Sequence, residues 1–507
     1  MKFPIFTPPV SSDNTLRLLR TGDPEIFERD GWRRLRQLYA FTRATVPAYA
    51  ARCRDAGITF SNLNTPEDLK KLPILSKQTY CKAVSDYADL FPYRDIGSAT
   101  TISATSGSTG EPFYFPRRGA HDAYYTFTAE LFLRNSFGVD KKKNTLGIIG
   151  FGMGIWIGGV FTYSSFNAIA QKGYRLSLVP VGPNVDLFLR SIKTFAPYYD
   201  QIILMGYPPF IKDVVDRADE YGVDLKKFSI KILTAAEGYS EGWKEYVAHR
   251  TGIKQNCTDF VNIYGSVELG TMAHETPTSN FIRTLAVARP EVREVLFGDA
   301  IAHVPTFCQY YPAMHYFEEH EGQVYGYGYG TAMPLLRYSF PDRGGVLPYR
   351  VVVERLSRVG VDLEREMKKA GLARHVWRLP FVYVFERADS TTVFRGANIY
   401  AQEIRDALLH PDISRHATGK FSLLRSETDS FDPVLELHLE LLHNVTPSDN
   451  FSDLVCAVVT DYLRDHNSEF AILYHMEGRS RLMPRVFLWP YQHPTHFSSG
   501  GKQRWSK

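Results

Sequence analysis

Apolar positions along the chain change their spacing twice. Up to about residue 90 the spacing is helical: Trp32, Leu35 and Tyr39 fall at i, i+3 and i+7, and Asp30 ahead of them is placed to cap that helix. From about 95 to 385, short apolar runs alternate with amphipathic helices. The clearest series is "IILMG" at 202–206, a helix with Phe210, Val214 and Ala218 on one face, "SIKILTA" at 229–235, a helix with Trp243 and Val247 four apart, and "FVNIYG" at 260–265. Such alternation predicts an α/β fold with parallel strands and crossover helices, whose ligands gather beyond the carboxyl ends of the strands. Near 385 the spacing shifts again. A strand and a polar turn lead to a helix with Tyr400, Ile404 and Leu408, and "VLELHLELL" at 434–442 alternates as a half-buried strand does, so a small α+β domain is expected here. The expected organisation is a helical leader over 1–90, a core over 91–387 and a small domain over 390–507.

Composition narrows the classes of partner. With 44% hydrophobic and 22% charged residues the chain has ordinary globular proportions, and 507 residues exceed what one core usually serves. The formal charge of +4 is thinly spread and the longest basic cluster is Lys141 to Lys143, so nucleic acid is not indicated. Five cysteines, Cys53, Cys81, Cys257, Cys308 and Cys456, are odd in number and never form a C-x-x-C pair, which fits a reducing compartment. "MKFPIFTPPV" lacks the apolar core of a secretory signal, and the expected location is the cytoplasm. The longest apolar run, "LGIIGFGMGIWIGGVF" at 146–161, holds six glycines and is shorter than a membrane-spanning helix; it reads as a buried strand followed by a glycine-rich loop.

The chemistry begins at "TISATSGSTGEPFYF", residues 101–115. Gly107 and Gly110 let backbone pass close to a ligand, and the hydroxyls of Ser106, Ser108 and Thr109 can donate to phosphate oxygens. Gly110 is followed by Glu111 and Pro112, with none of the lysine that completes a P-loop, so an ordinary P-loop kinase or ATPase is not predicted.

Together with five other segments this loop resembles the adenylate-forming ligases, in particular their phenylacetate–CoA ligase branch. The segments are "ATSGSTGEP" at 104–112, "AAEG" at 235–238, "NIYGSVE" at 262–268, "PLLRYSFPD" at 334–342, "ERADSTTVFRGANIYAQEI" at 386–404, and Gly501, Lys502 and Arg504 near the end. The resemblance implies the fold of those enzymes: a large domain with parallel sheets and crossover helices, and a small mobile α+β domain. It implies ATP held by Ser106, Gly107, Ser108, Thr109 and Gly110 at its phosphates, by Ala236, Glu237, Asn262, Tyr264 and Gly265 around adenine, and by Asp342 and Arg387 near ribose. Asp342 is otherwise a plain turn former in "SFPDRGG". Glu268 would bind Mg²⁺, Thr109 would act with it on the departing phosphates, Lys502 would stabilise the transition state at the α-phosphate, and Asp389 would be the hinge between domains.

The implied activity is ATP-dependent conversion of a carboxylic acid to an acyl-AMP with release of pyrophosphate, then transfer to a thiol, coenzyme A foremost. The acid expected is aromatic or similarly apolar. Phe151, Trp156 and Tyr207, in loops after neighbouring strands, are candidates for its pocket, with core packing as the competing reading. Transfer to an amine or a carrier-protein thiol stays open, as does a non-catalytic nucleotide-binding protein, although Lys502, Glu268 and Asp342 together argue against the last. A homodimer is a further possibility. The chain departs from the branch at Gly238, in "SVE" and "SFPD", and at Arg405, where relatives have glutamate; this points to a divergent acyl pocket or acceptor. Cys257, His303, Cys308 and His315 contain no close ligand pair, so buried thiols and ordinary histidines are expected there rather than zinc.

Overall fold

The computed structural model describes residues 11–104, 113–155, 157–298, 304–387, 391–394, 397–427 and 433–497. Three helices open the chain, α1 (Ser12–Thr21), α2 (Pro24–Thr45) and α3 (Pro47–Asp55). The cap expected at Asp30 is instead at Asp23, whose carboxylate accepts from the Glu25 amide at 3.1 Å while Pro24 takes the first helical position. Asp30 lies inside α2 and pairs with Arg33 at 2.7 Å. These helices do not stand apart: Leu35, Leu38 and Tyr39 share one core with Tyr310, Tyr327 and Tyr329, and the Tyr329 hydroxyl donates to the Gly31 carbonyl at 2.9 Å.

A short hairpin follows, β1 (Thr101–Ala104) with β2 (Tyr114–Arg117), then helix α4 (Gly119–Asn135). The main sheet is built from β3 (Thr145–Ile149), β4 (Leu176–Pro180), β5 (Gln201–Gly206), β6 (Ile230–Ala235), β7 (Phe260–Ser266), β8 (Gly270–His274), β9 (Thr306–Gln309), β10 (His315–His320), β11 (Gln323–Gly328), β12 (Tyr338–Leu347) and β13 (Phe381–Arg387). Its spatial order is β10-β11-β12-β13-β9-β8-β7-β6-β5-β3-β4, with β4, β3, β5, β6 and β7 parallel and the remainder antiparallel. The crossovers are α5 (Ile157–Ala170), α6 (Val185–Phe195), α7 (Pro208–Arg217) and α8 (Glu241–Thr251); α9 (Pro277–Ala288) follows β8.

The parallel strands are continuous apolar runs because both their faces are covered. Ile202 and Leu204 of β5 pack with Phe188, Phe210 and Val214 on one side, while the alternating Ile203 and Met205 pack with Phe161 and Phe166 on the other. Each such side chain contributes roughly 1.5–3 kcal/mol by leaving water. Local signals end the strands cleanly. Pro208 starts α7, and the Ser240 hydroxyl accepts from the Trp243 amide at 3.1 Å to cap α8. The carboxyl ends of β3, β5, β6 and β7 therefore open on one edge of the sheet, where the sequence motifs lie.

Beyond residue 390 the chain builds a separate core. A ribbon of β14 (Thr391–Phe394) and β15 (Ala397–Tyr400) precedes a sheet of β16 (Ala417–Glu427), β17 (Pro433–Leu441) and β18 (Arg485–Trp489). Leu435, Leu437 and Leu439 face Val455, Val459 and Leu463 of the helix Asp449–His466, while Glu436, His438 and Glu440 alternate onto the opposite face. Among the described residues no helix is long and apolar enough to cross a membrane.

Candidate nucleotide site

The segment after β6 carries a non-glycine residue in the left-handed region: Ala236 has φ of 76°. An L-residue there costs roughly 1–2 kcal/mol, so the surroundings must hold it. They do so through buried polar contacts. Thr234 donates to Asn262 Oδ1 at 2.9 Å, and Asn262 Nδ2 donates to the Glu237 carbonyl at 3.1 Å. Below them Glu275, fully buried, accepts from the Asn262 amide at 3.1 Å and from the Tyr239 hydroxyl at 2.5 Å. Arg283 pairs with Glu275 and donates to the Tyr239 carbonyl at 2.8 Å. The ring of Tyr239 stacks on Trp243 with centroids 4.7 Å apart. Asn262 thus spends part of its amide inside the protein, bracing the segment that contains Ala236 and Glu237. Neither Glu275 nor Arg283 belongs to a motif, and their spacing gave no signal.

Across from this segment, Tyr264 lies near the carboxyl end of β7. Its hydroxyl donates to Asp342 Oδ2 at 2.7 Å, and its ring stacks on Phe317 with centroids 6.2 Å apart. Asp342 is nearly buried on β12, and its backbone pairs in register with that of Arg387 on β13. One face of the Tyr264 ring, a carboxylate and the backbone of residues 235–238 therefore converge beyond the ends of β6 and β7, an arrangement with the donors, acceptors and flat surface that a nucleoside uses.

Glu268 sits in the turn between β7 and β8, partly exposed, and accepts from the Tyr338 hydroxyl at 3.2 Å. Gly265 makes this hairpin possible, because a Cβ there would lie 2.5 Å from the Gly270 carbonyl oxygen. The turn is held from below by His121. Burial pushes this imidazole down to about 4, so at neutral pH it is uncharged, and its Nε2 lies 2.8 Å from the Leu269 carbonyl, which accepts the proton. The Cys81 thiol is pushed up by burial and by Glu268, which brings the N-terminal region beside this carboxylate.

Phe151 is buried after β3 in the core that contains Ile149, Phe161 and Met205. Tyr207 is half-buried at the start of α7, its ring 5.8 Å from that of Phe210, and burial pushes its hydroxyl up to about 12, with Lys420 opposing and Asp213, Glu237 and Glu440 adding to the rise. Tyr207 therefore faces charges of the small domain. Ser106, Gly107, Ser108, Thr109, Gly110, Trp156, His303, Asp389 and Lys502 lie outside the described residues. Cys308 and His315 are buried and Cys257 is half-buried, and among the described residues no cluster of three or more His, Cys, Asp or Glu could hold a metal ion. A single carboxylate such as Glu268 nevertheless suits Mg²⁺, which takes one or two carboxylates and completes its shell with water and substrate phosphates.

No family model matches the chain. Among curated proteins it resembles the phenylacetate-coenzyme A ligase of Thermus thermophilus, 22% identical over 242 residues; the match spans 46% of this chain and about half of that relative, 49%. Among solved structures it resembles 2-hydroxyisobutyryl-CoA ligase in the postadenylation state with 2-HIB-AMP, with a TM-score of 0.67 at 15% identity over 99% of this chain and 94% of that one. The same ligase in its thioesterification state gives 0.54. An acyl acid amido synthetase in complex with 2,4-DB gives 0.55 at 11% identity, over 96% of this chain and 91% of that one. The likeness in architecture to that CoA ligase runs along nearly the whole of both chains, and the chain spans about half the length of the curated relative it matches.

Proposed function

We propose that the chain joins a carboxylic acid to AMP, expelling pyrophosphate from ATP, and then passes the acyl group to a thiol. The observation that carries this reading is the pairing of Tyr264 with Asp342 opposite the braced 235–238 segment. An ionised Asp342 offers acceptors to ribose hydroxyls, and the Tyr264 ring offers adenine a face. A carboxylic acid needs activation because oxide is a poor leaving group, and AMP is a good one. Charge passes through phosphate oxygens as the acid oxygen attacks, and preorganised donors lower that barrier most. Ser106, Ser108 and Thr109 are proposed to hold the departing phosphates, and Lys502 to meet the charge at the α-phosphate. Glu268 would hold Mg²⁺, which supplies charge neutralisation on the phosphates. On this reading the acid is aromatic or similarly apolar, with Phe151, Trp156 and Tyr207 near its pocket, and coenzyme A is the acceptor.

The test is a panel of carboxylic acids incubated with ATP and Mg²⁺, with and without coenzyme A or an amine. Pyrophosphate and AMP are the expected products, with a thioester when coenzyme A is present. ADP and phosphate as principal products would reject adenylation in favour of an acyl-phosphate mechanism.

A further inference from the structure

The small domain meets the large one in part through charged and polar side chains, Lys420, Arg405 and Asp406 among them. One of these contacts is made by Lys420. This ammonium lies 2.8 Å from Asp213 of α7 and 3.2 Å from Glu440 of β17, with the Tyr491 ring 5.7 Å away. Gly419 beside it has φ of 82°, a backbone conformation that favours glycine, and faces the stem of Lys212. Burial alone would lower the Lys420 ammonium, but Asp213 and Glu440 outweigh it and hold the group above its ordinary value.

The two carboxylates differ in what else serves them. Glu440 accepts from Thr418 at 2.8 Å and from the Gln492 amide at 2.8 Å, both in its own domain. Asp213 is almost wholly buried, and its Oδ1 has no hydrogen-bond partner among the described residues. The neighbouring cation, Lys212, is already taken by Asp216 at 2.6 Å. Burial raises the Asp213 carboxyl and Lys420 opposes that rise, so the charge of Asp213 depends on a residue of the other domain. The same docking brings Arg405 to the nucleotide segment, 3.6 Å from Glu237 and 3.5 Å from the Gly238 carbonyl, and sets Ser240 against Asp406.

We propose that Lys420 is a positioning residue that sets the docking register of the small domain, so that Arg405 and Asp406 meet residues 237–240. A buried ion pair gains little over its separated, hydrated partners, so Lys420 does not weld the domains together. It selects one docking among many, because any other takes from Asp213 the ammonium that pairs with it. Lys420→Met should therefore undock the small domain, and Asp213→Asn added to it should restore docking, since removing both charges leaves much less to hydrate.

The experiment places donor and acceptor dyes at Tyr198 and Asp449, both exposed and one in each domain, through unnatural amino acids so that the native cysteines stay unlabelled. The wild type should show one dominant distance. Lys420→Met should lower the docked-to-undocked ratio at least about tenfold, the scale for leaving a buried charge unpaired. Lys420→Arg should keep the wild-type distance, and the double variant should recover it. Each variant is checked for a cooperative melt, and Asp213→Asn alone, which leaves no buried charge at that position, serves if Lys420→Met does not fold: it should broaden the distance distribution. An unchanged distance in both single variants would overturn the proposal, as would undocking that Asp213→Asn fails to reverse. The half-reactions give a second readout that rests on the proposed function: acyl-AMP formation should fall with docking, and conversion of supplied acyl-AMP to thioester should not. Because distances need no turnover, a protein that makes no acyl-AMP would count against the function and leave the register proposal tested on its own.

Discussion

Tyr264 gives its hydroxyl to Asp342 across 2.7 Å, so the carboxylate proposed to meet ribose is held by a ring of the neighbouring segment. The bond fixes the side chain, and a carboxylate offers acceptors only. Asp342→Ala should therefore weaken ATP binding by the loss of charge-assisted bonds, each worth roughly 1.5–3 kcal/mol. Tyr264→Phe should cost less, since it removes the orienting hydroxyl and keeps the ring. Calorimetric titration with ATP in both variants checks the order, and unchanged affinity in Asp342→Ala would mean that this strand carboxylate does not meet the nucleotide.

Ala236 makes a prediction about strain. Glycine at φ of 76° has no Cβ penalty, although it loses more entropy on folding than alanine does. Ala236→Gly should therefore be neutral or stabilising by less than about 1 kcal/mol, and Ala236→Val should destabilise by about 1–2 kcal/mol. Urea denaturation followed by tryptophan fluorescence would show this, and a valine tolerated as well as glycine would mean that the segment relaxes.

Three buried imidazoles predict the acid limb of stability. Burial pushes His121 and His274 down to about 4 and His315 to about 3, from an ordinary 6.5. Between those values the unfolded chain binds protons that the folded one refuses, so stability is whole at neutral pH and falls as pH drops from about 6.5 to about 4. Urea midpoints at pH 7, 5.5 and 4.5 should decline in step. A flat profile would show that these rings are reached by water.

How much of this could be read from the chain depends on how local each cause is. The strands expected at 202–206, 229–235 and 260–265 appear as Gln201–Gly206, Ile230–Ala235 and Phe260–Ser266, because unbroken apolar runs follow from burial on both faces. Asp30 was a poor guide to its helix, since an acidic residue reads alike as a cap or as an i, i+3 partner, and only the Asp23–Pro24 pair distinguishes the true start. The order of residues marks Asn262 as part of a motif, but it does not tell that Thr234 and Glu237 occupy its amide. Lys420 and Asp213 lie far apart in the chain and in no motif, so their pairing became visible only when both domains were in place.

Lys502 gives the prediction that separates the two steps of the proposed reaction. An ammonium near the α-phosphate gains most while negative charge is moving there, which happens when the acid oxygen attacks and pyrophosphate leaves. Lys502→Ala should therefore lower acyl-AMP formation by roughly 10²–10³, the range for losing one preorganised donor at a charge-stabilising site. Transfer from supplied acyl-AMP to coenzyme A should survive, because the anhydride already carries the activation and the thiol attacks carbon rather than phosphorus. The contrast also separates this residue from Lys420, whose loss should change the distance between domains as well as the first step, whereas Lys502→Ala should leave the docked distance as it was. Rapid-quench measurement of both half-reactions in each variant decides it. Adenylation by Lys502→Ala at the wild-type rate would move the search for the catalytic cation to Arg405, the guanidinium that the small domain already holds against Glu237.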